Sequence, residues 1–125
     1  MTILKEGTYV IGDPKNLLKE GVEPDLALKV ENGRYLDQYK SSYVIESGIM
    51  AIVSKKMVKH PHLFTNVINL NSGCCNKGVH GDNWVLGWTR QFTVLVSYTD
   101  FEVSQDNIIE IGPLRIKARE NSVTR

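Results

Sequence analysis

The segment LRIKAR at residues 114–119 alternates strictly between apolar and basic side chains. Successive side chains of a β-strand point to opposite faces of the sheet, so this period of two is typical of a strand with one buried and one exposed face. The segment FTVLVSY at residues 92–98 instead carries apolar side chains on both faces. That second pattern predicts a central strand covered on each side. Together the two segments predict a sheet with an apolar interior.

Similar short runs rich in Val, Ile, Tyr, Phe and Thr recur along the chain between Gly, Pro, Asn and Asp residues. Strands are predicted near residues 7–11, 26–31, 43–45, 49–53, 63–70, 84–88, 91–98, 107–111 and 114–119. Asn32-Gly33 predicts a hairpin turn because both residues accept positive φ. Ser47-Gly48 predicts a tight turn or a bulge. Residues 105–107 predict a further turn, which would complete a terminal meander.

Helix signals are few. Residues 13–21 predict about two helical turns, with Asp13 as the N-cap, Pro14 at the first helical position and Gly21 as the stop. A second helical turn is predicted over residues 54–58. The predicted fold class is therefore mainly β: an antiparallel β-sandwich or a partly open barrel with one or two short helices.

The length of 125 residues fits a single domain. We expect a β-rich domain over residues 1–119 and a flexible tail over 120–125. No basic segment followed by an apolar stretch resembles a secretory signal, and no apolar run is long enough to span a membrane. The cysteines, Cys74 and Cys75, are adjacent and are expected to be reduced. These features predict a cytoplasmic protein.

The net charge of +1 lacks the excess of bases that proteins held by phosphate contacts usually carry. Nucleic acid is therefore not an expected partner. Basic residues do outnumber acidic ones after Val53. A solvated face is the simpler interpretation of that skew, and a basic binding face is the alternative.

Two phrases carry a resemblance. Residues 7–14 read GTYVIGDP, and residues 43–53 read YVIESGIMAIV. They resemble the phrases G-x-Y-x-I-G-D-P and Y-x-V-D-S-G-x-x-G-I-V of small proteins from bacteriophages and bacteria, whose endings resemble residues 92–94 and 109–116 here. The chain departs from the pattern at Lys15, Glu46 and Ala51, where those proteins often have cysteine, aspartate and glycine. The resemblance implies a small phage-type protein, located in the host cytosol if it is encoded by a phage, and no particular activity.

The polar segment 71–83, NSGCCNKGVHGDN, predicts a long loop that is either functional or a simple insertion. Its Cys75, His80 and Asp82 are candidate binding residues, and Cys75 could also act as a nucleophile, with His80 as the base and Asp82 orienting that base. The spacing of Cys74, Cys75 and the three histidines matches no usual zinc signature, so no metal is expected.

Trp84 and Trp88 lie four positions apart on one predicted strand, with Arg90 close behind. Core packing is the simpler interpretation of the two rings. A stacking platform or a protein-binding hot spot is the alternative, because Trp and Arg dominate such contacts. Asp13 has two interpretations as well, as a helix cap or as a ligand-binding carboxylate.

No catalytic motif is recognisable, and no cofactor is expected. The leading hypothesis is a non-enzymatic, phage-type binding module that engages a host protein or a small ligand. One alternative is an enzyme acting on a nucleotide or nucleic acid, with Asp13, Glu46, His80, Asp82 and Arg90 as acid, base and phosphate contacts. Another is an oligomeric virion or structural component, and the sequence leaves a homo-oligomer open.

Overall fold

The computed structural model describes residues 2–36, 42–64, 78–89 and 91–120. These residues form a mainly antiparallel β structure, which confirms the predicted fold class. The strands are β1 (Thr2–Leu4), β2 (Gly7–Gly12), β3 (Leu26–Leu36), β4 (Ser42–Ile45), β5 (Gly48–Val53), β6 (Gly78–His80), β7 (Trp84–Trp88), β8 (Thr93–Ser97), β9 (Phe101–Val103), β10 (Ile108–Ile111) and β11 (Leu114–Glu120). One α-helix, α1 (Pro14–Lys19), and two 3₁₀ turns, Lys55–Met57 and Pro61–Phe64, complete the described part.

The strands belong to a single sheet. Ten of them follow the order β1-β9-β10-β11-β3-β5-β2-β8-β7-β6, and β4 pairs with β3 beside this path. Leu4 of β1 and Leu86 of β7 lie near opposite ends of the order, yet both belong to one buried cluster. The sheet must therefore curl around a shared interior. Of the two predicted architectures this is the partly open barrel, since the described strands do not divide into two sheets.

Strand β8 is covered on both faces, as predicted. Leu95 lies in the interior cluster, whereas Val94 lies in a second cluster on the outer face. Strands β2 and β7 flank β8 in the sheet. Leu17 of α1 and Val58 belong to the outer cluster, so the helix and the segment after the first 3₁₀ turn cover this part of the sheet. The apolar run on both faces follows from that double coverage.

The hairpin turn predicted at Asn32-Gly33 is wrong. Strand β3 continues through both residues, and its pairing with β11 shifts there, with Gly33 opposite Ile116 but Glu31 opposite Lys117. Asn32 is thus an extra residue in β3, a β-bulge. Glycine is required at position 33 for space, because a Cβ there would overlap the side chain of Ile116. A hairpin turn and a β-bulge favour the same residues, so the dipeptide alone does not distinguish them.

Ser47-Gly48 interrupts a strand rather than turning the chain. Strands β4 and β5 both pair antiparallel with β3, from Leu36 opposite Ser42 to Leu26 opposite Ile52. The hydroxyl of Ser47 donates a hydrogen bond to Oδ1 of Asn32 at 3.2 Å. The interruption between β4 and β5 therefore faces the bulge in β3. The register with β3 is the same on both sides of the interruption, so neither the tight turn nor the bulge predicted at Ser47-Gly48 is present.

The predicted helix signals are confirmed. Asp13 Oδ1 accepts a hydrogen bond from the backbone N–H of Lys15 at 2.8 Å, and Pro14 opens α1. Gly21 ends the helix with a φ of +78°. The N–H of Val22 donates to the carbonyl of Leu17, and that of Gly21 donates to the carbonyl of Leu18. This pair of bonds is the Schellman motif that glycine favours.

Other predictions have mixed outcomes. The terminal meander exists as β9, β10 and β11. The strand predicted over 63–70 is wrong at its start, which is the end of a 3₁₀ turn that Pro61 opens, and residues 65–70 lie outside the described part. Strands β1, β6 and β9 are not among the predicted strands, since three residues give too short a pattern. Strand β11 includes Glu120, and the rest of the predicted tail is not described. No helix among the described residues is long and apolar enough to cross a membrane.

Candidate functional site

The two tryptophans that are candidate binding residues are partly buried against the interior. Trp84 and Trp88, at the two ends of β7, pack against the interior cluster. The Trp84 ring lies between two glycines, since a Cβ at Gly81 would be 2.6 Å from its Cε2 and a Cβ at Gly112 would overlap its Cζ2. The Trp88 ring tilts against Tyr35, with 5.5 Å between ring centroids. These contacts are those of the core-packing interpretation.

Asp13 acts as the helix cap, and its side chain also lines a groove of about 430 Å³. The groove is lined by the end of β2 and the start of α1, by the end of β4, by Glu46 and Ser47, and by residues 89 and 91–93. The approach is close, because a Cβ at Gly48 would be 2.6 Å from the carbonyl oxygen of Gly12. The two phrases of the phage resemblance therefore meet in space.

This Asp13–Glu46 groove can accept hydrogen bonds and attract cations, since both carboxylates are exposed. One oxygen of Asp13 is already engaged by the helix N-terminus. No group of three or more His, Cys, Asp or Glu side chains suited to a metal occurs within the described residues. Of the five candidate residues of the enzyme alternative, Asp13 and Glu46 both line this groove.

The C-terminal part of the segment predicted as a loop, 71–83, contains a short strand. Residues 78–80 form β6, which pairs with β7, and the Gly81 N–H donates to the carbonyl of Trp84 at 2.9 Å to close the turn. His80 is the last residue of β6, and Asp82 is exposed in the turn. Cys75 and Arg90 lie outside the described residues, as does segment 71–77. The rings of His60 and His62 are 5.7 Å apart, centroid to centroid.

Two described groups have shifted pKa values, and both belong to the junction of β1–β2 with the β8–β9 turn. Burial, and then the negative charge of Asp100, raise the pKa of Tyr9 to about 12. A hydrogen bond from the Glu6 backbone N–H and one from Lys5 lower the pKa of Asp100. The Tyr9 hydroxyl donates to the carbonyl of Lys5 and its ring packs edge-on against Phe101. Both pKa shifts are explained by local packing and hydrogen bonds, so they do not indicate a binding site.

The fold brings together charged side chains that lie far apart in the sequence. On the outer side of β3 and β11, antiparallel pairing places Arg34 opposite Arg115, Glu31 opposite Lys117, and Lys29 opposite Arg119. We call the five bases of these pairs the basic face: Lys29, Arg34, Arg115, Lys117 and Arg119. The LRIKAR alternation supplied three of them. The other two come from β3, some 85 residues away, and only the topology brings them together.

Two carboxylates interrupt the basic face. Arg119 Nη2 pairs with Glu31 Oε1 at 2.9 Å, and Arg115 Nε pairs with Glu110 Oε1 at 3.4 Å. The side chains of these pairs are between 37% and 68% exposed. Ion pairs in such exposed positions contribute little to stability. The face therefore keeps a surplus of cations available to a partner.

Between Arg34 and Arg115 the basic face is concave. A groove of about 480 Å³ runs there, bordered by Lys117, Asn32 and the aliphatic side chains of Val44 and Ile108. Val44 is 61% exposed. We call this groove the arginine cleft. Guanidinium groups beside aliphatic side chains can bind carboxylates or phosphates through paired hydrogen bonds.

Comparisons of the chain with protein-family models, with curated proteins and with solved structures gave no significant match.

Proposed function

We propose that this chain is a non-enzymatic, phage-type binding module whose basic face engages an acidic surface of a host protein. The proposal depends on one observation, the exposed outer side of β3 and β11, which carries five bases, three of which line the arginine cleft. The phage-type assignment comes from the resemblance of residues 7–14 and 43–53. No cofactor enters the proposal.

The basic face is available to a partner. On the neighbouring strands β2, β5, β7 and β8, the outer cluster is covered by α1 and by the segment around Val58. No described element covers the outer side of β11, where Arg115 and Arg119 expose 67% and 68% of their side chains. Strands usually face water with polar side chains, yet Val44 is exposed here as well. An accessible aliphatic centre with a charged rim is typical of protein interfaces.

A protein partner fits this face better than a nucleic acid. Glu31 and Glu110 stand among the bases and would repel a continuous phosphate backbone. Single-stranded nucleic acids also stack on aromatic rings, and no aromatic side chain lines the arginine cleft in the described part of the chain. Arginine, by contrast, is enriched at the hot spots of protein interfaces. The overall charge of +1 agrees with a local contact rather than with polyanion binding.

The enzyme alternative has less support. Of its proposed residues, Asp13 and Glu46 share a groove, but Asp13 already caps α1. Asp82 lies elsewhere, in the β6–β7 turn. The Asp13–Glu46 groove thus offers two carboxylates without a described histidine or phosphate-binding cation beside them.

The test is capture from a bacterial lysate with two matched charge-reversal variants. One carries Arg34→Glu and Arg115→Glu on the basic face. The control carries Lys15→Glu and Lys19→Glu on α1, where both lysines are exposed. Each variant changes the net charge equally, and circular dichroism verifies that each is folded. We expect a partner that the wild type and the control retain and that the basic-face variant loses.

The captured protein is then purified and its affinity is measured directly. We expect the basic-face variant to bind at least about tenfold more weakly, which corresponds to about 1.4 kcal/mol. We also expect binding to weaken between about 50 and 200 mM salt, because exposed charges are screened. Equal affinities of the two variants would contradict the proposal. So would capture that nuclease treatment abolishes, which would indicate nucleic acid, or a particle mass that shows only copies of the chain itself.

A further inference from the structure

Two arginines oppose each other across the pairing of β3 with β11. Arg34 and Arg115 are register partners, so their side chains leave the sheet on the same face. Directly opposed residues in antiparallel strands have Cβ atoms about 4.5–5.5 Å apart, and like charges there destabilise the sheet. Lys117 follows two positions along β11 and faces the same way. Three cations therefore border the arginine cleft.

The nearby carboxylates do not neutralise the positive charge of these cations. Glu110 pairs with Arg115, and Glu31 is occupied by Arg119. Neither Arg34 nor Lys117 forms an ion pair within the described residues. Glu31 also lies opposite Lys117, so Arg119 and Glu31 are included in the count: four cations and two carboxylates leave a local excess of about two positive charges. An anion of matching charge would remove the repulsion between the arginines.

The shape of the cleft suits a compact oxyanion on a short aliphatic stem. The groove of about 480 Å³ is open to solvent, and Val44 and Ile108 supply its aliphatic borders. Two guanidinium groups offer several N–H donors in fixed planes, which is the geometry that carboxylates and phosphates accept. A phosphate monoester carries about −1.5 to −2 charges at neutral pH, whereas a carboxylate carries about −1. The charge excess matches the phosphate monoester.

We propose that the arginine cleft is a subsite for a phosphate monoester borne by a side chain of the protein partner. The assignment of the phosphate to a protein rests on the proposed function, while the phosphate site itself rests on Arg34, Arg115 and Lys117. Arg34 and Arg115 hold the phosphate oxygens by paired hydrogen bonds, and Lys117 adds a point charge. The aliphatic borders contact the stem of the phosphorylated residue.

The site is tested with three probes of defined chemistry at constant ionic strength: inorganic phosphate, a short phosphoserine peptide and the same peptide with serine. Binding is followed by the chemical shifts of backbone amides. We expect the phosphoserine peptide to perturb the amides of residues 33–35 and 115–117 and the serine peptide to leave them unchanged. Inorganic phosphate should perturb the same amides more weakly. An equal response to chloride at the same ionic strength would overturn the site.

Matched variants separate the cleft from the rest of the basic face. Arg34→Gln removes one cation of the opposed pair, and Arg119→Gln removes a cation on the same face that is outside the cleft. We expect the affinity for the phosphoserine peptide to fall at least tenfold in Arg34→Gln and less than twofold in Arg119→Gln. In buffer without phosphate, Arg34→Gln should unfold at the same temperature as the wild type or higher, since it relieves the repulsion. Equal affinity losses, or a lower unfolding temperature for Arg34→Gln, would overturn the inference.

The two proposals fail in different ways. If the phosphoserine peptide does not bind but an acidic partner is still lost with the basic-face variant, the subsite is wrong and the proposed function stands. If the peptide binds in the Arg34-dependent manner but no partner distinguishes the two charge-reversal variants, the subsite stands and the protein-binding function fails.

Discussion

Replacing Gly112 by alanine should strongly destabilise the fold, and the loss should depend on Trp84. Gly112 lies in the β10–β11 turn with a φ of +54°, a conformation that costs an alanine about 1–2 kcal/mol. A Cβ there would also overlap Cζ2 and Cε2 of Trp84 and lie 2.7 Å from its Cη2. Overpacking of this kind costs about 1–3 kcal/mol more. We therefore expect Gly112→Ala to lower the free energy of unfolding by about 2–5 kcal/mol.

A double-mutant cycle separates the two contributions. In a Trp84→Leu background the indole ring is absent, so Gly112→Ala should cost only the backbone term of about 1–2 kcal/mol. Gly21→Ala is the matched control, because Gly21 also has a positive φ of +78°, but the atoms nearest to a Cβ there belong to the aliphatic chain of Lys59 and lie 2.8–3.1 Å away. It should cost about 1–2 kcal/mol as well. Urea unfolding followed by circular dichroism measures all four variants.

The cycle also tests the curl of the sheet. Trp84 is in β7, and Gly112 connects β10 to β11, strands far from β7 in the order of the sheet. The contact exists only if the sheet closes far enough to bring these regions together. The same cost of Gly112→Ala with and without the indole ring would refute the packing of Trp84 and, with it, the partly open barrel.

Three further predictions concern the helix cap, the core and a buried hydroxyl. Asp13→Ala should lower the free energy of unfolding by about 1 kcal/mol and Asp13→Ser by much less, because serine retains the cap; urea unfolding compares the two. Leu95→Ala should cost about 2–5 kcal/mol, since Leu95 is fully buried, whereas Leu18→Ala at a 67% exposed position should change stability by less than about 0.5 kcal/mol. Tyr9 has its pKa raised from 10.0 to about 12, so the stability linked to its proton is intact below pH 10 and is lost as the pH rises from about 10 to 12. The free energy of unfolding, measured by urea unfolding at several pH values in this range, should fall less steeply with pH for Tyr9→Phe than for the wild type.

Local patterns predicted the fold where the local signal had one structural meaning. The apolar run at 92–98 can be satisfied only by coverage on both faces, and β8 has it. Asp13-Pro14 with Gly21 describes both ends of α1 in full. Ambiguous signals failed: Asn32-Gly33 suits a turn and a bulge equally, and the apolar run predicted as a strand from residue 63 begins inside the 3₁₀ turn Pro61–Phe64. Such ambiguity is resolved by tertiary pairing, which a local pattern does not contain.

The candidate site was predictable only in part for a related reason. The outward bases of β11 follow from alternation alone, and the notion of a basic face was available as an alternative. The position of Arg34 opposite Arg115 is a matter of register between segments 81 residues apart. Likewise, Asp13 and Glu46 were singled out separately, but only the fold places them in one groove. The two tryptophans are binding candidates by residue type alone, and in the structure they pack against the interior cluster.

The bulge at Asn32 connects the mistaken turn to the arginine cleft. Val30 and Tyr35 both point into the interior although an odd number of positions separates them, which regular alternation forbids. The extra residue shifts the alternation by one, so that Tyr35 is buried and Arg34 faces outward beside Arg115. Without the bulge, Arg34 would point into the core and the opposed pair would not exist. Bulges often re-aim side chains at functional positions, and here the bulge creates the charge repulsion that a bound anion would relieve.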